Sequence, residues 1–185
     1  DSIYHFYEDG NEAPIEPSKL NCREVKYTID LATGAVKREE FDDVAEDYHR
    51  VDPRYIGRKW RHTFTNAWLA NNRPPAAGGS WPQNALVHYD HETGRRKLRP
   101  LKPGTWTHPE PAFVPRSAQA PEGDGYLLCL LYREDEHRSD IEILDTSDIT
   151  AEPVATVKLP TRVVWGAHGQ FAQRAADGSL LPATA

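Results

Sequence analysis

Residues 27–41, which read YTIDLATGAVKREEF, share a pattern with residues 87–101, which read VHYDHETGRRKLRPL. In each stretch, Asp-x-x-Thr-Gly joins two strand-like runs. The aspartate can accept hydrogen bonds from the turn backbone, and the glycine can take the positive φ that the turn needs. A longer hairpin of the same kind occupies residues 142–159. Three such hairpins predict repeated four-stranded units, the blades of a β-propeller, and a β-sandwich is the alternative.

The rest of the chain also favours strands over helices. Several strand-length runs are bounded by turn residues, and some of them alternate apolar and polar side chains. The 15 prolines and 12 glycines interrupt any longer helix. We therefore predict an all-β protein, with strands in residues 23–30, 84–90, 125–135, 140–146 and 153–160.

Length and charge restrict the classes of protein that the chain can belong to. Its 185 residues are enough for one ordinary domain or a slice of a larger one. The sequence begins at Asp1 and contains no methionine, so we expect a processed or truncated N-terminus. No signal peptide and no apolar run of about 18 residues is present, which predicts a soluble, cytoplasmic protein. The net charge of −6 and the scattered basic residues argue against nucleic acid as a partner.

Cysteines and most histidines give no sign of a metal site. Cys22 and Cys129 are too few for a disulfide framework, and Cys129 lies in an apolar run that predicts a buried thiol. No His-Glu-x-x-His or Cys-x-x-Cys spacing is present. We expect the histidines in polar or turn-rich contexts to be solvated: His62, His88, His91, His108 and His137. His168 differs, because it follows a strand-like run and has a glycine two residues before it and another directly after it.

The region around His168 carries a set of motifs in a fixed order. Residues 109–171 resemble the C-terminal signature of the carotenoid cleavage oxygenase family, which includes lignostilbene dioxygenases and the retinal isomerohydrolase of the eye. Several motifs in the same order are far more specific than one. The matching motifs are Glu-Pro-x-Phe-Val-Pro-Arg at 110–116, an acidic glycine turn at 122–125, Ile-Leu-Asp at 143–145, Leu-Pro-x-Arg-Val at 159–163 and Gly-x-His-Gly at 166–169.

The resemblance implies a fold and a metal. It implies part of a seven-bladed β-propeller, with about three C-terminal blades in residues 1–171 and a C-terminal tail in residues 172–185. Members of the family hold Fe(2+) with four histidines, and glutamates accept hydrogen bonds from several of these rings. By the resemblance, His168 is an iron ligand and Glu110 is the carboxylate that orients a ligand histidine. A neutral imidazole is a suitable Fe(II) ligand when a carboxylate holds its other nitrogen.

Two positions depart from the family pattern. An ungapped comparison places Ser2 where another ligand histidine is expected, and only a shift in register would allow His5 to serve instead. Asp47 stands where a second orienting glutamate is expected. Because aspartate is one methylene shorter, Asp47 could reach a ligand histidine only through a water or a shifted strand. Glu46, one position earlier, is expected to point to the other face of its strand.

The resemblance implies an oxidoreductase that uses dioxygen. The expected activity is iron(II)-dependent cleavage of a carbon–carbon double bond in a carotenoid, apocarotenoid or stilbene-like substrate, by a protein of which this chain is an incomplete portion, inactive alone. The expected partners are an apolar polyene or stilbene-like small molecule and dioxygen, with peripheral membrane contact through the missing portion. The alternative is a propeller remnant or divergent paralogue that binds a partner without oxygen chemistry.

Overall fold

The computed structural model describes residues 23–41, 43–69, 83–107, 109–163, 168–174 and 176–179. Within these ranges the regular structure is β, apart from one 3-10 turn at Pro53–Tyr55. The all-β prediction is therefore confirmed. The strands are β1 (Val25–Ile29), β2 (Val36–Glu40), β3 (Ala45–Arg50), β4 (His62–Trp68), β5 (Ala85–Asp90), β6 (Arg95–Pro100), β7 (Thr105–Thr107), β8 (Ala112–Pro115), β9 (Gly125–Arg133), β10 (Arg138–Asp145) and β11 (Ala155–Lys158).

The strands form three antiparallel sheets that follow one another along the chain. The first contains β1 and β2, and the second is a four-stranded meander in the order β3-β4-β5-β6. The third has the order β11-β10-β9, with β7 and β8 lying one after the other along the free edge of β9. β7 and β8 thus together form one interrupted edge strand. Sequential antiparallel sheets of about four strands are the expected arrangement of propeller blades.

The predicted turn chemistry explains the hairpins. The Asp30 carboxylate accepts hydrogen bonds from the backbone N–H groups of the next turn residues, and Asp90 does the same. Gly34 and Gly94 have φ values of +72° and +66°, which a residue with a Cβ rarely adopts. These turns connect β1 to β2 and β5 to β6. The third hairpin joins β10 to β11. The last two strands of the second sheet and of the third sheet are thus each joined by one of the predicted hairpins.

The main apolar core lies between the second and third sheets. Phe64 and Leu86 come from the second sheet, and they pack with side chains from the third sheet and the connections beside it. Phe64 is fully buried and stacks on Phe113, with ring centroids 5.4 Å apart. The remaining members of this core are Leu101, Leu127, Cys129, Leu131, Leu144 and Ile149. Burial of Cys129 confirms its predicted place among apolar residues and raises the pKa of its thiol.

Polar contacts also join these two sheets. Gln83 and Thr107 exchange backbone hydrogen bonds of 2.9 and 2.8 Å. The acidic turn at 122–125 is more than a surface loop, because the Glu122 carboxylate accepts the backbone N–H of His62 at 3.0 Å. A Cβ at Gly123, where φ is +74°, would lie 2.5 Å from the His62 ring. Glycine is therefore needed for the turn to approach β4 so closely.

Candidate functional site

His168 and Glu110 meet although they lie 58 positions apart in the sequence. Nδ1 of His168 lies 3.0 Å from Oε1 of Glu110, a hydrogen-bonding distance. Only 14% of the Glu110 side chain is exposed, whereas 79% of the His168 side chain is. With Nδ1–H donating to the carboxylate, Nε2 is the ring nitrogen that remains for a ligand. This is the arrangement of a carboxylate-oriented metal ligand.

Arg50 holds the other oxygen of Glu110. The Arg50 guanidinium forms an ion pair with Oε2 of Glu110 and donates a hydrogen bond to the backbone carbonyl of Gly169. One side chain from the second sheet thus fixes both the carboxylate and the segment that carries His168. None of the sequence motifs predicts this contact. Donors on both oxygens of the Glu110 carboxylate fix its orientation.

Glu110 lies in the gap between β7 and β8, where the edge strand of the third sheet is interrupted. The amide of the fully buried Asn66 donates a hydrogen bond of 2.9 Å to the backbone carbonyl of Pro109. This contact ties the residue before Glu110 to β4. The gap itself frees the chain from ladder pairing, so Glu110 can leave the sheet and reach His168.

A β-bulge places Arg50 at the site. The register between β3 and β4 shifts between Asp47 and Arg50. Asp47 pairs with Asn66 and Arg50 with Phe64, so an advance of three residues along β3 matches two residues along β4. Tyr48 within this bulge has a φ of +62°, which is uncommon for a residue with a large side chain. The Tyr48 ring lies nearly perpendicular to that of His168, with centroids 6.3 Å apart. The bulge therefore directs β3 side chains toward His168.

Asp47 lies beside this site without joining the Glu110 and His168 pair. Its carboxylate accepts the backbone N–H of Tyr48 at 2.8 Å, and its carbonyl accepts the Thr65 hydroxyl at 2.7 Å. Among the residues that the structure describes, no hydrogen bond joins the Asp47 carboxylate to Glu110 or His168. Its role in orienting a ligand histidine stays a prediction. The predictions concerning Ser2 and His5 fall on residues outside the described ranges.

The expectation of solvated histidines was wrong for β4 and β5. His62 and His88 are partly buried, and their rings contact each other through Nδ1 and Nε2 at 3.1 Å. The His88 ring stacks on Phe64, with centroids 4.6 Å apart. The strand alternation could have revealed this, because His88 is two residues from the buried Leu86 and so shares its face. His137 is exposed as expected, and His108 lies outside the described residues.

His91 is also less solvated than expected. Its side chain is 8% exposed and lies 3.2 Å from a Glu24 carboxylate oxygen. The rings of Phe41 and Trp60 contact it edge-on, with centroid distances of 4.7 and 5.0 Å. Tertiary packing against Glu24, Phe41 and Trp60 buries this histidine, and no local pattern in the sequence predicts that packing.

The buried His88 predicts a pH dependence of stability. Burial, assisted by the charges of His62 and Lys97, lowers the pKa of His88 to about 4 from an ordinary value of 6.5. The unfolded chain therefore binds more protons than the folded one between these pH values. The contribution of the neutral His88 to the free energy of unfolding is complete above pH 6.5, and it is lost as the pH falls through about 4. We expect the free energy of unfolding to drop by an amount on the order of 3 kcal/mol across this window. Urea unfolding at a series of pH values measures it.

The variant His88→Gln separates this effect from acid effects elsewhere. Glutamine can still donate a hydrogen bond toward His62 but does not titrate. Its unfolding free energy should fall less between pH 6.5 and 4 than that of the wild type. Parallel pH profiles for the two proteins would contradict the assignment to His88.

The described residues contain no helix that is both long and apolar enough to cross a membrane.

Comparisons with known proteins identify the family. The family model described as retinal pigment epithelial membrane protein matches residues 2–173. The chain is 36% identical over 148 residues to apocarotenoid-15,15'-oxygenase from Synechocystis, covering 80% of this chain and 29% of that protein. It is 30% identical to lignostilbene-α,β-dioxygenase isozyme III from Sphingomonas paucimobilis, covering 100% of this chain and 38% of that protein. The chain thus spans about a third of the length of these relatives.

Solved structures agree with this relationship. Cobalt-substituted Synechocystis apocarotenoid oxygenase superimposes with a TM-score of 0.75 at 34% identity, covering 89% of this chain and 33% of the other. Lignostilbene dioxygenase from Pseudomonas brassicacearum gives a TM-score of 0.71 at 33% identity, covering 79% and 31%. These matches confirm the predicted fold class, part of a seven-bladed β-propeller. The chain belongs to the carotenoid cleavage oxygenase family.

Proposed function

We propose that this chain is part of an iron(II)-dependent dioxygenase that cleaves a carbon–carbon double bond in a carotenoid, apocarotenoid or stilbene-like substrate. The observation that carries the proposal is the 3.0 Å contact between Nδ1 of His168 and the Glu110 carboxylate. Family membership supplies the reaction class, since its named relatives are oxygenases, lignostilbene dioxygenase among them. A cobalt-substituted structure among the relatives supports a metal in the parent fold.

The residues at the site fit a metal ligand of this kind. Imidazole suits iron, and a carboxylate that accepts the Nδ1 proton fixes the tautomer in which Nε2 can coordinate. Arg50 occupies the second oxygen of Glu110, so the carboxylate cannot rotate away from His168. When bound, Fe(2+) would supply the site for dioxygen chemistry. We assign His168 as one ligand, Glu110 as the group that orients it, and Asp47 as a weaker, water-mediated participant.

The substrate class follows from the relatives and remains part of the proposal. Named relatives carry out apocarotenoid, lignostilbene and isoeugenol oxygenation, and each of these names denotes a substrate with a carbon–carbon double bond next to an extended or aromatic π-system. We propose a substrate with the same feature, bound with dioxygen. Peripheral membrane contact and a cytoplasmic location stay predictions from the sequence.

Replacing Glu110 by glutamine tests this proposal. Glutamine can accept the Nδ1–H of His168, but it lacks the charge that polarises the ring and pairs with Arg50. Loss of such an orienting carboxylate typically lowers metal affinity or activity by about 10- to 100-fold. We expect that loss in the whole protein that contains this chain, measured by iron content after anaerobic loading and by oxygen-dependent cleavage of an apocarotenal and of lignostilbene.

A matched control uses the exposed Glu152, which lies between β10 and β11. Glu152→Gln removes the same charge away from the site and should retain wild-type iron content and activity. Iron content and activity in Glu110→Gln equal to those of the wild type would refute the role of Glu110.

A binding module without oxygen chemistry is the second candidate. Asp47 favours it, because this shorter carboxylate hydrogen-bonds to its neighbour's backbone instead of to a described histidine. The two candidates differ in one measurement on the wild-type protein. A stoichiometric, chelator-sensitive iron accompanied by cleavage supports the dioxygenase, and a stably folded protein that takes up no iron supports the binding module.

A further inference from the structure

A second cluster of ligand-type side chains contains neither Glu110 nor His168. It contains Glu24, which precedes β1, and Glu46 and His49 from β3. One carboxylate oxygen from each glutamate and one ring nitrogen of His49 lie within 4.8 Å of one another. Oε2 of Glu46 and Nε2 of His49 are 3.8 Å apart.

The bulge in β3 brings Glu46 and His49 together. In a regular strand, residues three apart point to opposite faces. The register shift between Asp47 and Arg50 and the positive φ of Tyr48 reverse this alternation, so Glu46 and His49 share a face. The bulge that aims Arg50 at Glu110 therefore also assembles this second cluster.

The two carboxylates are buried and held by hydroxyl groups. Glu24 is 6% exposed and Glu46 is 2% exposed. The Thr63 hydroxyl donates to Oε1 of Glu24 at 3.0 Å, and the Tyr89 hydroxyl donates to Oε1 of Glu46 at 2.7 Å. In each glutamate one oxygen is thus fixed by a neutral donor. Hydroxyl groups that orient carboxylates in this way are typical of the surroundings of metal ligands.

Glu24 provides an independent sign of a missing partner. Its Oε2 is buried and has no hydrogen-bond partner among the described residues. A buried carboxylate oxygen left without a donor is costly. His91 contacts the other oxygen, Oε1, at 3.2 Å, so it leaves Oε2 without a partner. A cation between Glu24 and Glu46 would give Oε2 of Glu24 the partner that it lacks.

We propose that Glu24, Glu46 and His49 form a divalent-cation site, with Zn²⁺ as the ion best suited to it. Two carboxylate oxygens and one imidazole nitrogen are a zinc donor set, and three protein ligands leave a position for water. Ligand atoms around tetrahedral Zn²⁺ lie roughly 3.4 Å apart. The ligand atoms, which lie within 4.8 Å of one another, therefore need to close by up to about 1.4 Å. The His49 side chain is 35% exposed, so it provides both the adjustable ligand and the route of entry.

Zinc uptake by the iron-loaded whole protein tests the site. The purified protein is dialysed anaerobically against ZnCl₂, and zinc and iron are measured in the same sample. We expect the wild type to retain one more zinc equivalent than His49→Ala or Glu24→Gln, and its melting temperature to rise with zinc while theirs do not. His168→Ala should retain this zinc, which distinguishes the cluster from the iron centre.

His137→Ala is the control, because His137 is an exposed histidine outside the cluster. It should retain the same zinc as the wild type. His49 is more exposed than the glutamates, so His49→Ala carries the test even if Glu24→Gln fails to fold. Equal zinc retention in the wild type and a folded His49→Ala overturns the proposal and leaves the Glu24 carboxylate with His91 and Thr63 as its only polar contacts among the described residues.

Discussion

Replacing His168 by alanine is expected to reduce oxygen-dependent cleavage of the substrate by more than about 100-fold, a larger loss than the replacement of Glu110. The reason is that alanine removes the proposed ligand atom itself, whereas Glu110→Gln only loosens its orientation. Iron content should fall in parallel with activity. Anaerobic iron loading followed by metal analysis and a cleavage assay on the whole protein measures both quantities.

The His168→Ala variant is expected to fold normally, so a loss of iron can be assigned to the missing ligand. The His168 side chain is largely exposed, so its removal should leave the unfolding free energy within about 0.5 kcal/mol of the wild type. His137→Ala removes another exposed histidine and should leave iron content and activity unchanged. Wild-type iron content and activity in a folded His168→Ala protein would eliminate the proposed ligand role, and with it the proposed use of Glu110.

The hairpins could be predicted from sequence because their chemistry is local. Asp30 and Gly34 determine one turn through contacts within a few residues, and Asp90 and Gly94 determine another. The break between β7 and β8 could not be predicted in this way. It depends on contacts with Asn66 of β4, which binds the Pro109 carbonyl, and with Gln83, just before β5, which pairs with Thr107.

The sequence likewise predicts some residues of the candidate site and not others. Glu110 and His168 were found through motif order, because a family resemblance carries information about contacts between distant residues. Arg50 was missed, since its contact with Glu110 depends on a bulge and on a positive φ at Tyr48. Tyrosine seldom adopts that φ, so no propensity predicts it. The cluster of Glu24, Glu46 and His49 could not be predicted either, because it depends on the same bulge in β3.

The core between the second and third sheets determines whether Arg50 and Glu110 meet. Phe64 lies on β4, which pairs with β3. Within this pairing, Phe64 is directly opposite Arg50. Its ring stacks on Phe113, three residues after Glu110, and on His88. The stacking of Phe64 on Phe113 therefore joins the second and third sheets, in addition to the polar contacts between them. A change at Phe64 therefore tests how strongly the two sheets depend on each other.

Replacing Phe64 by alanine is expected to lower the free energy of unfolding by about 3–5 kcal/mol, because a fully buried ring is lost and the cavity borders both sheets. Urea unfolding measures this loss as a lower transition midpoint with an unchanged slope. Leu31→Ala is the control, since Leu31 is 95% exposed and should change stability by no more than about 0.5 kcal/mol. Phe64→Leu should recover part of the loss by filling most of the cavity. A loss below about 1 kcal/mol in Phe64→Ala would mean that the two sheets do not share the packed core described above.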